Sequence, residues 1–201
     1  TDMMASMSGQ KRIALTLIWA WMLISCPMGA FGAGFAGGTG EPGDPYKIAT
    51  TAQLLSIDSD ATLLDKHYIL TASIDLKGRS FSKAVVSTFG GVFDGDGHAI
   101  RNLRIEAKNR DYLGLFQTIL QGAEVRNLGV VDAYIEGLAS LGALASRNEG
   151  RVLNCYSTGV VKGSKAGGLV GVNPGAIADS NSNAAVSDGA CGGGLVGPND
   201  G

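Results

Sequence analysis

The stretch Arg151-Val152-Leu153-Asn154-Cys155 recurs in kind as Ala176-Ile177-Ala178-Asp179-Ser180, and two earlier copies precede it: Ala99-Ile100-Arg101-Asn102-Leu103 and Glu124-Val125-Arg126-Asn127-Leu128. The aliphatic positions 100, 125, 152 and 177 are spaced by 25, 27 and 25 residues, and Asn102, Asn127, Asn154 and Asp179 keep step with them. A second column runs through Leu115, Leu144, Leu169 and Leu195. A third joins Asn148, Asn173 and Asn199, with Gly150, Gly175 and Gly201 two positions further on. Self-similarity at such a period marks a repeat architecture. A helical repeat would place apolar residues at i, i+3, i+4 and i+7. Here the apolar runs are short, as in Gly129-Val130-Val131, and glycine and asparagine punctuate them. That pattern reads as strands separated by turns.

A period near 25 residues suits one coil of a parallel β-helix, an all-β solenoid of two or three short strands per turn. Consecutive coils stack at about 4.8 Å, so equivalent side chains pile up along the axis. Leu115, Leu144, Leu169 and Leu195 are expected as one interior stack. Asn102, Asn127 and Asn154 are expected as an amide ladder, each bonding to the next coil, and Asp179 as the mark of a looser coil. One coil alone buries too little apolar surface to offset the ordering of its residues, so stability comes from stacking.

Such a stack needs its open end covered. Thr50 or Thr51 can cap a short helix containing Ala52-Gln53-Leu54-Leu55 and Ile57, and Tyr68 to Leu76 reads as a first strand pair. The N-terminal 1–32 reads as a leader with a signal peptide: Lys11-Arg12, the uncharged run Ile13 to Ile24, then Pro27, Gly29 and the small-residue site around Gly32. Leu23-Ile24-Ser25-Cys26 offers lipoprotein anchoring at Cys26 as an alternative. Residues 33–47 read as a linker, 48–88 as the N-terminal cap and opening coil, and 89–201 as the repeats, cut short at the C-terminal side. No stable transmembrane span is expected after processing.

Composition agrees with an exported repeat domain. Glycine is 31 of 201 residues, twice the usual share of about 7 %, whereas proline is only 5. Hydrophobic residues make up 45 % and charged residues 17 %, which excludes a highly charged disordered chain. A net charge of −2 leaves no basic excess for a nucleic-acid backbone. Beyond Cys26, Cys155 and Cys191 lie 36 positions apart, out of phase with the coil, so no disulfide is expected between them. They have no neighbouring Cys or His to complete a zinc site.

Gly168-Leu169-Val170-Gly171 and Gly194-Leu195-Val196-Gly197 resemble the GLUG motif, named for Gly-Leu-any-Gly. The segments Gly91 to Leu103 and Gly37 to Ala49 resemble those that introduce such repeats. The resemblance covers about 37–201. It departs at Gly114-Leu115-Phe116-Gln117, which loses the last glycine, and at Ala143-Leu144-Ala145-Ser146, which loses both. It implies secreted or surface-attached bacterial proteins, adhesin-like chains and the non-catalytic regions of IgA-specific metallopeptidases, and it brings no catalytic residues.

Candidate chemistry is sparse. Asp94-Gly95-Asp96-Gly97-His98 opens like a calcium loop. The sixth position is Ala99 rather than glycine, and the twelfth is Ile105, which cannot ligate. A tight turn is the expected role. Asp111, Asp132, Glu136, Glu149 and Asp188 share no column that would pair two carboxylates across a glycosidic bond. Arg101 and Arg126 are expected one coil apart on one outer column, where they are able to meet an anionic glycan or stand as a solvated pair. No catalytic residue, metal or cofactor is therefore expected. The reading is a non-enzymatic surface scaffold or adhesin-like module, with an extracellular glycan or a host or matrix protein as partner. The alternative is part of a carbohydrate-active or peptidase enzyme whose active site lies elsewhere.

Overall fold

The computed structural model describes residues 34–187 and 192–198. The expected leader with Cys26, and Asp188, Cys191, Asn199 and Gly201, lie outside the described residues. The chain runs through β1 (Tyr46–Ile48), helix α1 (Thr51–Ser56), two 3-10 turns (Ile57–Ser59 and Ala61–Leu63), β2 (His67–Leu70), β3 (Ile74–Asp75) and β4 (Val86–Phe89). It continues with β5 (Val92–Asp94), β6 (Ala99–Arg101), β7 (Arg104–Ala107), β8 (Phe116–Ile119), β9 (Glu124–Arg126), β10 (Gly129–Gly142) and β11 (Ala145–Asn148). The last strands are β12 (Arg151–Leu153), β13 (Tyr156–Gly167), β14 (Val170–Val172), β15 (Ala176–Ala178) and β16 (Asn181–Ser187).

These strands form a parallel β-solenoid of about five turns with three sheets. The first sheet is β1-β2-β5-β9-β12-β15. The second is β3-β6-β10-β13-β16, with β7 also on β10. The third is β4-β8-β11-β14. Every strand pairs in parallel with the strand one coil away.

The interior is a set of columns. In the first sheet Tyr46, Tyr68, Phe93, Val125, Val152 and Ile177 stand in register. Phe89 and Phe116 from the third sheet add to the aromatic end, with ring centroids 5.2 Å apart. The second sheet contributes Ile74, Ile100, Val130, Ser157 and Ser182. The core thus passes from aromatic to aliphatic and then to small polar residues along the axis. Ser157 donates to the Gly168 carbonyl at 2.8 Å and bonds Ser182 at 2.9 Å, so its buried hydroxyl is satisfied. The leucine stack forms as expected. Leu115, Leu144 and Leu169 are fully buried, Leu195 is partly buried, and backbone bonds link 144 to 169 and 169 to 195.

The expected column through Ile100 is corrected. Ile100 lies in the second sheet between Ile74 and Val130, and the residue that stacks on Val125 is Phe93. Asn102 accordingly leaves the ladder with Asn127. It turns a different corner, and its amide donates to Asp75 at 2.7 Å. The confusion has a physical source, because several corners demand a left-handed backbone. Asn127, Asn154 and Asp179 turn one corner with φ of 52°, 50° and 51°. Asn102 and Asp132 turn the next with 57° and 55°, and Tyr112, Ser140 and Lys165 a third with 61°, 57° and 50°. Asn and Asp tolerate this region best, so unrelated corners acquire the same residue type.

The expected helix is α1. Thr50 caps it, with its hydroxyl accepting from the Gln53 amide while the Gln53 side chain accepts from the Thr50 amide. Thr51 Oγ1 donates to the Asp75 carbonyl of β3 at 3.3 Å, and Asp58 Oδ1 accepts from the Ser87 amide of β4 at 2.8 Å. The helical segment therefore lies along the first edges of the second and third sheets, which would otherwise present unpaired backbone groups.

Candidate functional site

Polar side chains on the first sheet close into networks of their own. Asp94 ends β5. Its Oδ1 accepts from the Asp96 amide at 2.9 Å and from Asn127 Nδ2 at 3.0 Å, and its Oδ2 from Arg126 Nε at 2.7 Å. Partial burial pushes the Asp94 pKa up, but these donors outweigh it and hold the carboxyl below its ordinary range. Arg126 Nη1 also donates to Glu124 at 2.8 Å, and Glu124 pairs with Arg151 at 3.2 Å. Asn154 then donates to Asn127 at 2.9 Å, so the ladder runs Asp94, Asn127, Asn154. The Asp94 to His98 stretch forms the turn joining β5 to β6, closed by the His98 amide on the Gly95 carbonyl at 2.8 Å. Arg101 and Arg126 do not share a column. Arg101 lies opposite Asp75 and Val131, whereas Arg126 lies opposite Asp94 and Leu153.

The other carboxylates also find local roles. Glu149 accepts from Arg147 at 2.7 Å, and Glu136 accepts from the Tyr134 hydroxyl at 3.2 Å and pairs with Lys108 at 3.4 Å. Asp111 is exposed beside the third corner. Among the described residues no three His, Cys, Asp or Glu side chains converge as a metal site would require. Cys155 is buried, and its thiol lies against the Val125 and Leu153 carbonyls at 3.7 and 3.3 Å. Burial pushes that thiol up to about 11, so it stays protonated and inert at neutral pH.

The asparagine column at 148 and 173 is a second ladder, and it is buried. Asn148 Nδ2 donates to Asn173 Oδ1 at 2.7 Å and to the Ala176 carbonyl at 3.2 Å. Its Oδ1 accepts from the Gly150 amide at 3.2 Å.

One concavity escapes this pairing. From Asp75 opposite Arg101 to Phe81 opposite Ile105, the lower coil uses two residues more than the upper. The surplus bulges outward as the turn Lys77-Gly78-Arg79-Ser80, with Gly78 at φ 81° and the Arg79 amide closing on the Leu76 carbonyl. This bulge walls a groove of about 360 Å³ whose floor is Asn102, Leu103, Arg104, Asp132 and Tyr134. Arg104 and Tyr134 are register partners on adjacent strands, and the guanidinium carbon lies over the ring, 4.5 Å from its centroid. Arg104 also pairs with Glu106 through Nη2. The side chains of Lys77 and Arg79 make no ion pair among the described residues and are exposed. Of the carboxylates and arginines that the sequence offers as candidates, this groove draws on Asp132 and on neither Arg101 nor Arg126. Its mark is a local surplus of two residues between Asp75 and Phe81, which shows only in the register of adjacent coils.

No family model matches the chain. The chain is 35 % identical over 163 residues to "Halomucin" of Haloquadratum walsbyi, covering 75 % of this chain and 2 % of that protein. It is also 35 % identical over 133 residues to a "Putative Gly-rich membrane protein" of Evansella cellulosilytica, covering 60 % of this chain and 15 % of that one. The chain thus spans only a small part of these relatives' lengths. Among solved structures it resembles "a putative immunoglobulin A1 protease from Bacteroides ovatus", with a TM-score of 0.65 and 26 % identity over 83 % of this chain and 56 % of that chain. Among the described residues no helix is long and apolar enough to cross a membrane.

Proposed function

We propose that this chain is a non-enzymatic scaffold or adhesin-like binding module of the GLUG-repeat type, exported as part of a longer surface protein. The supporting observation is how its titratable side chains are spent. Asp94, Arg126, Glu124 and Arg151 close on one another, and the groove is lined by Lys77, Arg79 and Arg104 with Asp132 as its one carboxylate, a lining that offers no pair of carboxylates for acid–base work. The similarity to Halomucin and to a Gly-rich membrane protein favours a place at the cell exterior. The partner is an extracellular glycan or a host or matrix protein. The test is an array of immobilised glycans and matrix proteins probed with the whole chain. Saturable binding to a defined subset supports the reading, and binding to none contradicts it.

A second reading has its own support in the resemblance to the Bacteroides ovatus structure. In it the solenoid is the non-catalytic or catalytic part of a peptidase or carbohydrate-active enzyme. Turnover of a polysaccharide or of immunoglobulin A by the chain alone would favour the catalytic version. Turnover only by a longer protein would favour the accessory one.

A further inference from the structure

The groove on the second sheet carries a more specific assignment, which rests on the binding-module reading and narrows it. We propose that Lys77, Arg79 and Arg104 form a binding site for the acidic groups, carboxylate or sulfate, of a polysaccharide. Three features converge. First, the two-residue surplus in the lower coil exists only as a protrusion, and it carries two cations, Lys77 and Arg79, that serve no internal ion pair among the described residues. The backbone of the turn is tied down, with the Lys77 amide donating to Asp75 Oδ1 at 2.9 Å and the Arg79 amide to the Leu76 carbonyl at 3.0 Å, so both side chains stand out from a fixed turn. Second, the floor cation is held in place. Arg104 sits over the Tyr134 ring and is tethered by Glu106 through Nη2, so the remainder of its fork is presented with little loss of rotamer freedom. Third, the floor offers Asn102 and Asp132 as neighbouring hydrogen-bonding groups suited to sugar hydroxyls, and the volume lies at the small end of ligand sites.

The same features select among ligand classes. A peptide would need an open sheet edge or apolar pockets. The groove lies on a sheet face, and its aliphatic lining residue, Leu103, is buried. Nucleic acid needs a basic field, and the chain carries a net charge of −2. An acidic glycan needs only a few convergent cations beside hydrogen-bonding groups, which the groove provides.

The experiment measures affinity of the whole chain for polygalacturonate, which offers carboxylates, for dextran sulfate, which offers sulfates, and for neutral dextran. The variants are K77A/R79A, D132N and K47A, and thermal midpoints confirm that each remains folded. Lys77 and Arg79 are exposed, so the double variant is expected to fold normally. Lys47 is an exposed cation on the first sheet and controls for surface charge alone. The expected result is salt-sensitive binding to one of the two acidic polymers and none to dextran. K77A/R79A loses tenfold or more in affinity, as removal of charge-assisted contacts implies. D132N tightens binding severalfold, and K47A leaves it unchanged. Which polymer binds identifies the acidic group. Equal loss in K47A, or no loss in K77A/R79A, overturns the site. Absence of binding to both acidic polymers overturns it as well. If the array described above still shows a bound glycan or protein, the binding-module reading survives that failure; if it does not, both fall.

Discussion

Gly168 and Gly194 open the same four-residue phrase in consecutive coils, yet their surroundings differ. A Cβ on Gly168 would lie 2.2 Å from the Gly194 carbonyl oxygen, whereas one on Gly194 meets nothing within 4 Å. Gly168→Ala is therefore expected to cost about 1–3 kcal/mol or more through backbone displacement, and Gly194→Ala to lie within about 0.5 kcal/mol of the parent. Urea midpoints of the two variants check this. Asn148 is a second decisive residue. Asn148→Ala removes three hydrogen bonds and strands the Gly150 amide and the Asn173 carbonyl oxygen in the interior, an expected loss of about 2–4 kcal/mol by the same measurement. Asp94 sets the acid response. Its carboxyl is held below the ordinary value, so its stabilisation is complete above that value and is lost as pH falls through the depressed one. Thermal midpoints are expected to drop below about pH 4. In Asp94→Asn the midpoint starts lower at neutral pH and falls less steeply on acidification. An acid limb unchanged by the substitution would contradict the role given to Asp94.

Among the elements, α1 matters because it lies on strand edges. Thr50→Ala removes the cap and is expected to cost about 1 kcal/mol. Asp58 ties the following turn to β4 through the Ser87 amide and Lys83, so Asp58→Ala is expected to cost about 1–2 kcal/mol. Amide exchange of residues 51–63 should accelerate before that of β9 and β12. The helix was legible in the sequence because its capping chemistry is local: Thr50 and Gln53 stand three positions apart. The coil containing β5 to β8 was not. Val92 and Glu124 are register partners 32 positions apart, well above the mean period, because that coil carries extra corner residues. A spacing of 25 from Ile100 to Val125 imitated the period, and Asn102 imitated Asn127, since both turn left-handed corners. The aromatic column of Tyr46, Tyr68 and Phe93 was overlooked for a related reason. It is not a column of like residues, since it passes into valine at position 125.

For the whole molecule, the repeat columns at 115, 144, 169 and 195 and at 148 and 173 were legible because nearest-neighbour stacking imposes the same demand on every coil. The groove was not, since it arises from a difference between two coils rather than from what they share. Both ladders and the groove depend on the coil register, and nuclear Overhauser contacts among the leucine methyls, in a chain labelled only at leucine, test it most directly. The register places Leu115 next to Leu144, and Leu144 next to Leu169. Strong methyl–methyl contacts in that order are the expected result. Their absence, with Leu144 instead contacting Leu138 or Leu141 as its nearest labelled neighbours, would contradict the solenoid and everything placed on its surface.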